Sequence, residues 1–175
     1  QKQRFRKDLT DMEGLVSTTL EFVSSGEINE ARQNIDINAL LQSLQADLQD
    51  MGEHITLAGR AKHPLSGYAR SLKRCVQNLV ENAVRYARDV QVIVDEQPEH
   101  LVITVRDSGP GIAPEQLTQV LEPFYRLETS RNTGTGGYGL GLSIAQTVAT
   151  AHGGTLVLHN RPQGGLDAVL TLRSA

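Results

Sequence analysis

The sequence predicts an α+β domain in which one mixed sheet carries helices on a single face. Three observations lead there. Two long helical periodicities are present, strand-like runs come in hairpin pairs, and the strands do not alternate with helices in the βαβ manner of a parallel sheet. No internal repeat is found.

From the N-terminus, Phe5, Leu9, Met12, Val16, Thr19 and Val23 recur at spacings of three and four. They form one helical stripe, with Lys7, Asp8, Asp11 and Glu13 mostly off it. The stripe ends at Ser24-Ser25-Gly26, a helix stop and linker. A lone helix of this length has little to pack on, so residues 1–26 read as the tail of a helical hairpin or dimer element. The alternative is a helix folded onto the same globule. The main domain is assigned to residues 27–175.

Asn34 to Ile37 alternates like a short strand, and Asn38 is placed to cap a helix carrying Leu40, Leu41, Leu44 and Leu48. Ile55 to Leu57 and Lys62 to Ser66 read as strands, the second at an edge because of Pro64. A long helix follows from Arg70 to Ala87. Val90 to Val94 and Leu101 to Val105 make a hairpin through Glu96-Gln97-Pro98. Glu115 to Leu121 is expected to be a short helix, and Leu140 to Ala151 a second long one. His152-Gly153-Gly154 is its glycine-capped end. Thr155 to His159 and Ala168 to Leu172 form the last pair, turning at Gln163-Gly164-Gly165.

Composition narrows the function. The 175 residues suit one domain with a sizeable core. The 17 Lys and Arg nearly balance 20 Asp and Glu, which gives no broad positive field for nucleic acid. Cys75 is the single cysteine, excluding an internal disulfide or cysteine zinc cluster. No apolar run approaches the roughly 20 residues that span a bilayer, and no signal peptide is evident. A first residue of Gln1 rather than Met suggests a fragment or a processed chain.

Three segments carry chemistry. On the helix beginning near Arg70, the apolar side is Leu72, Val76, Leu79, Val80, Ala83 and Ala87. The other side gathers Asn78, Glu81, Asn82, Arg85 and Tyr86. Asparagines four apart share a face, and their amide oxygens are hard ligands able to share magnesium with phosphate. An ordinary solvated helix face is the competing reading, although two asparagines inside one helix lean against it. Asp107-Ser108-Gly109-Pro110-Gly111 follows a strand. Its acid can accept a hydrogen bond from an exocyclic amine, but a plain surface turn uses the same residues. Gly134-Thr135-Gly136-Gly137-Tyr138-Gly139-Leu140-Gly141 opens the second long helix, where bare amides and the helix dipole favour phosphate. It lacks the Gly-Lys-Ser/Thr ending of a P-loop. Each signal is modest by itself; in this order they are specific.

Taken together these segments resemble the nucleotide-binding boxes of two-component sensor histidine kinases. Asn78 to Tyr86 resembles the asparagine box, Asp107 to Gly111 the first glycine box, Glu122-Pro123-Phe124-Tyr125-Arg126 the phenylalanine box, and Gly137 to Gly141 the second glycine box. The stretches Gly67 to Arg74 and Gly164-Gly165-Leu166 also fit, so the likeness covers roughly residues 35–173. It implies an α/β sandwich of the Bergerat ATP-binding type, shared with gyrase, mismatch-repair ATPases and a heat-shock chaperone, preceded by a remnant of a dimerisation helix.

By that resemblance Asp107 reads adenine, Asn78 and Asn82 hold Mg2+ and phosphate, and Arg85 and Tyr86 contact the nucleotide. Gly139 and Gly141 let helix amides meet the phosphates, and Gly109, Gly111, Phe124, Gly137 and Leu140 complete the binding set. Residues 127–136 form a lid, and Arg126 or Arg131 offsets charge on the transferred group. Tyr68 and Ala69 stand where the family often has Asp and Pro, which is expected to loosen the start of the helix. Tyr138 occupies a position that is commonly small or polar.

The related ATPases carry a glutamate at the position of Asn78 to activate water. An amide cannot take that proton, which favours transfer to a neutral imidazole over hydrolysis. Glu81 is expected to be a surface or docking residue. None of His54, His63, His100, His152 and His159 has the acidic residue that usually follows an acceptor histidine. The expectation is therefore an ATP- and Mg2+-dependent protein-histidine kinase domain whose acceptor lies upstream. Its partners would be its own phosphoacceptor helices, a response regulator and a second copy in the intact protein. Its expected location is the cytoplasmic side of an inner-membrane sensor. A regulatory nucleotide-binding module, or a serine kinase of the same superfamily, are the alternatives.

Overall fold

A computed structural model describes residues 1–25, 28–127 and 139–174. Helix α1 spans Lys2–Ser25, β1 Gln33–Ile35, α2 Ile37–Asp50, β2 Ile55–Gly59, β3 Leu65–Gly67 and α3 Ala69–Tyr86. Strands β4 (Val90–Glu96) and β5 (His100–Asp107) follow, then α4 (Gly141–Ala151), β6 (Thr155–Asn160) and β7 (Leu166–Arg173). The expected helix over 115–121 is instead two 3-10 turns, Pro114–Gln116 and Gln119–Leu121. Leu117, Val120 and Leu121 still pack on the core from these turns, and so short a segment does not sustain a full α-helix by itself.

The main sheet runs β2-β4-β5-β7-β6, and β1 pairs β3 in a separate two-stranded sheet. Only β2 and β4 are parallel; the remaining pairs are antiparallel. The sheet is mixed, as expected. Period-two alternation places Val92, Val105, Ala168 and Leu158 in one buried row across four strands, and Val94, Ile103, Leu170 and Leu156 in the next. Helices α2, α3 and α4 cover that face. The other face shows half-exposed residues such as Gln91, Thr104, Arg106 and Thr171.

Local chemistry sets the boundaries. The cap of α2 is Asp36, whose carboxylate accepts from Ala39 N at 3.0 Å. Asn38, expected in that role, lies inside the helix and bonds the Ala61 main chain in both directions, at 2.8 and 3.0 Å. Helix α3 buries Leu72, Cys75, Val76, Leu79, Val80 and Ala83, the predicted stripe with Cys75 added and with Ala87 standing outside it as the C-cap. Its N-cap, Tyr68, makes no side-chain capping bond. Glu30 fills the gap from the linker: its carboxylate accepts from Arg70 N at 3.1 Å, Ser71 N at 2.8 Å and Ser71 Oγ at 2.7 Å. The expected loose start is thus closed from outside the helix.

Helix α4 is C-capped by His152, and Gly153 follows at φ 67°, the expected glycine stop. His152 is also buried. Its Nδ1 hydrogen donates to the Val148 carbonyl at 2.8 Å and its Nε2 accepts from Tyr68 N at 3.0 Å. Gly67 is bare because a Cβ there would stand 2.7 Å from the His152 ring.

Helix α1 behaves differently at its two ends. Its last turns contact the domain: Glu21 pairs with Arg74 of α3, and the Phe22 and Phe124 rings meet edge-on at 6.4 Å. Along the remainder, Phe5, Met12, Val16 and Leu20 stay exposed.

Candidate functional site

A cleft of about 390 Å³ lies between α3, the start of α4 and the loop after β5. Of the residues expected to bind nucleotide, it brings together Asn78, Asn82, Arg85, Tyr86, Asp107, Gly111, Arg126, Gly139 and Gly141. Gly109, Phe124 and Leu140 do not line it. Arg131, Gly137 and most of the expected lid fall outside the described residues.

Asp107 is the cleft's buried acid, 5% exposed. As the last residue of β5 it continues the inward alternation of Ile103 and Val105. Its Oδ1 accepts from Gly109 N at 2.9 Å and Leu166 N at 3.3 Å, which leaves Oδ2 for a ligand. Burial lifts its carboxyl above the ordinary aspartate value, against those two backbone hydrogen bonds. The surrounding loop is held by residues far along the chain. Arg161 donates to the Asp107 carbonyl at 3.1 Å. Gly165, at φ 96°, would put a Cβ 2.0 Å from that same oxygen, which explains the second glycine of the pair; Gly164 shares the positive φ but has open space around it. Gly109 has a packing role: a Cβ there would lie 3.0 Å from the Tyr86 carbonyl oxygen.

Asn78 lines the same cleft from α3. Its Nδ2 is buried and has no hydrogen-bond partner among the described residues. A buried amide donor left unpaired costs free energy, so this atom marks a place where an acceptor belongs. Asn82, one turn on, shares its face. Glu81, expected to be a surface or docking residue, is half-buried, lines the cleft and accepts from Gln77 Nε2 at 2.8 Å.

The glycines at the α4 start divide into two kinds. Gly139 sits at φ 75°, and a Cβ there would come within 2.6 Å of the Tyr125 carbonyl oxygen, so the fold itself requires it. At Gly141 the nearest atom to a Cβ would be Asn78 Cβ, at 3.9 Å. Protein packing leaves room there, and the bare backbone keeps the cleft open beside Asn78. The N-cap Leu140 supplies no capping side chain and is itself buried, so any contact it makes with a ligand is through its main chain.

Helix α1 closes one edge of the cleft with Thr18 and Glu21. Neither was legible in sequence, because they come from a segment assigned elsewhere. Gln77 could have been read from the polar face of α3. Arg161 and Asn160 carry no local motif. No cluster of three or more His, Cys, Asp or Glu suited to a metal occurs among the described residues.

Comparison with known proteins agrees with this geometry. Residues 67–175 match the family model described as histidine kinase-, DNA gyrase B- and HSP90-like ATPase. The sensor histidine kinase GtrS of Pseudomonas aeruginosa is 37% identical over 171 residues, 98% of this chain and 35% of its own length. CpxA, a sensor histidine kinase of Escherichia coli K12, is 35% identical over 76% of this chain and 30% of its own. The chain therefore spans about a third of the length of these curated relatives. In fold it is similar to the mycobacterial sensor histidine kinase MprB, with a TM-score of 0.70 and 23% identity over 82% of this chain and 98% of that one. Full-length ShkA, solved in complex with AMPPNP, has a TM-score of 0.79 and 22% identity over 100% of this chain and 40% of that one. Cleft, sheet order and sequence likeness converge, and the chain belongs to the histidine kinase-, DNA gyrase B- and HSP90-like ATPase family.

Proposed function

We propose that this chain is the catalytic, ATP-binding part of a protein-histidine kinase, which delivers the γ-phosphoryl group of ATP to a histidine on helices upstream of α1. The observation that carries this reading is the buried Nδ2 of Asn78, without a partner among the described residues, on a side chain that lines a cleft also holding a buried acid. An amide is two-sided: Nδ2 donates to a phosphate oxygen while Oδ1 faces a cation. A glutamate at this position could not donate at neutral pH, and an amide cannot act as a base toward water.

Magnesium fits the donor set. The amide oxygens of Asn78 and Asn82 are hard and neutral, and magnesium characteristically takes few protein ligands beside phosphate oxygens and water. When bound, it would neutralise charge on the phosphates. Asp107 Oδ2 is assigned to the adenine amine, and Tyr86 and Arg85, which line the same cleft, to the rest of the nucleotide. Gly141 and the amides after it face phosphate at the positive end of α4. Arg126 lines the same cleft and is assigned to charge developing on the transferred group. Arg131 is retained in that role by resemblance alone.

The acceptor imidazole needs no base from this domain, because a neutral ring presents a nitrogen lone pair. That nitrogen bonds phosphorus, the bond to the bridging oxygen breaks, and ADP leaves with the electron pair. Positioning and charge stabilisation then carry the rate. The exposed stripe of α1 (Phe5, Met12, Val16 and Leu20) is assigned to packing against those upstream helices and a second copy, and a response regulator is the onward recipient. In the whole protein this part is placed on the cytoplasmic side of a membrane sensor.

The test is transfer of label from ATP to a separately prepared acceptor domain. The expected product is labile to acid and stable to alkali, as a phosphoramidate is. Label that survives acid favours a serine kinase, and nucleotide binding without transfer favours a regulatory module.

A further inference from the structure

We propose that Glu30 is a positioning residue for nucleotide binding: it supplies the N-cap that α3 lacks and makes the placement of Asn78 and Asn82 depend on the docked linker after α1. The proposal rests on the reading of those two asparagines given above.

The first turn of any helix leaves amides without partners, normally answered by a Ser, Thr, Asp or Asn at the N-cap. Tyr68 cannot do this. Glu30 does it in trans, with both carboxylate oxygens engaged and the Ser71 hydroxyl as a third donor. A negative charge at this end of a helix is also favoured by the dipole. Partial burial alone would raise the Glu30 carboxyl, yet the hydrogen bonds from Ser71 and Arg70 hold it below its ordinary value.

Two residues further on, Arg32 continues the attachment. Its guanidinium donates to the Ser66 carbonyl at 3.1 Å and to the Ala151 carbonyl at 3.4 Å, and lies 4.9 Å over the Tyr68 ring. Ala151 is the last residue of α4. One short linker segment therefore grips the start of α3 and the end of α4. Those helices are the two that hold the cleft between them, and Gly141 faces Asn78 at close range across their interface. Ser71 and Asn78 are about two helical turns apart. Fraying of the first turn would loosen Leu72, which is fully buried, and with it the seat of α3 against α4.

The experiment compares wild type, Glu30→Ala, Glu30→Gln, Tyr68→Asp and the Glu30→Ala/Tyr68→Asp double variant. Affinity for adenylyl imidodiphosphate with magnesium is measured by calorimetry well below each Tm, and amide exchange is followed at Arg70 and Ser71. Glu30→Ala should weaken affinity about three- to tenfold, the scale of one lost cap, with faster exchange at both amides. Glu30→Gln, which keeps an acceptor oxygen without the charge, should fall between. Tyr68→Asp restores a cap within the helix but removes the ring beneath Arg32, so alone it serves as the reference for the double variant, in which it should recover part of the affinity lost in Glu30→Ala and slow the exchange again. A Glu30→Ala protein with faster exchange and unchanged affinity makes the cap merely structural and overturns the proposal. Unchanged exchange overturns it as well. If wild type itself binds no nucleotide, the functional reading fails and takes the link to nucleotide with it, while the exchange rates still decide whether Glu30 caps α3.

Discussion

Asn160 grips Ile112 by both ends of its amide: Oδ1 accepts from Ile112 N at 2.9 Å and Nδ2 donates to the Ile112 carbonyl at 2.5 Å. The same Oδ1 would lie 2.7 Å from a Cβ on Gly111, which sits at φ 75°. The last residue of β6 thereby fixes the loop that leaves Asp107. Asn160→Ala should remove two exposed hydrogen bonds worth about 1 kcal/mol together. The expected result is a several-fold loss of ATP affinity with little change in Tm, read by calorimetry and thermal melting.

Asp107→Asn should separate binding from stability. An asparagine Oδ1 can still accept from Gly109 and Leu166, and the buried charge disappears. Because the folded carboxyl is held above its ordinary value, its charged form opposes folding: the stability it contributes is full below the ordinary aspartate value and is lost as pH rises through the raised one. The variant should melt no lower than wild type at neutral pH. Its Nδ2 would oppose the adenine amine, donor against donor, so ATP affinity should drop by about tenfold or more. A clear fall in Tm with affinity retained would remove Asp107 from the adenine role.

The two glycines flanking Leu140 should respond in opposite ways. Gly139→Ala forces a Cβ toward the Tyr125 carbonyl in a left-handed backbone, at a cost of about 1–3 kcal/mol in stability. Gly141→Ala meets only ordinary contact, so Tm should hold while affinity for the triphosphate falls more than affinity for adenosine. Equal behaviour of the two variants in both assays would contradict the division.

His152 is expected to make the domain acid-sensitive. Burial lowers its pKa, opposed by the hydrogen bond to Val148, with Arg32 lowering it further and Glu30 raising it. A depressed folded value means that the stability is present above the ordinary histidine pKa of about 6.5 and lost as pH falls toward the folded value. Protonation also places a second N–H against Tyr68 N. Tm should decline below about pH 6.5 in wild type and more shallowly in His152→Gln; parallel profiles would exclude His152 as the source.

Much of this was legible in the sequence, for identifiable reasons. The stripe Leu72, Val76, Leu79, Val80 and Ala83 is a local repeat, and so are the alternations of β4 and β5. Asn78, Asn82 and Asp107 stood out because they are unusual residue types on regular elements, and the cleft brings the three together. What stayed hidden is held by long-range contacts with main chain. Asn160 reaches Ile112 across 48 positions, and Glu30 reaches Ser71 across 41. A backbone amide has no sequence signature, so its side-chain partner cannot be inferred from spacing. The choice of Asp36 over Asn38 as the α2 cap was decided the same way, because Asn38 is engaged by the main chain of Ala61 on a different element.

The most direct measurement is a calorimetric titration of the folded domain with adenylyl imidodiphosphate, with and without magnesium. The account predicts one saturable site per chain, tighter with magnesium than without, and weakened by Asn82→Ala chiefly in the presence of the metal. A folded protein giving no heat of binding, or binding indifferent to both magnesium and Asn82, would contradict it.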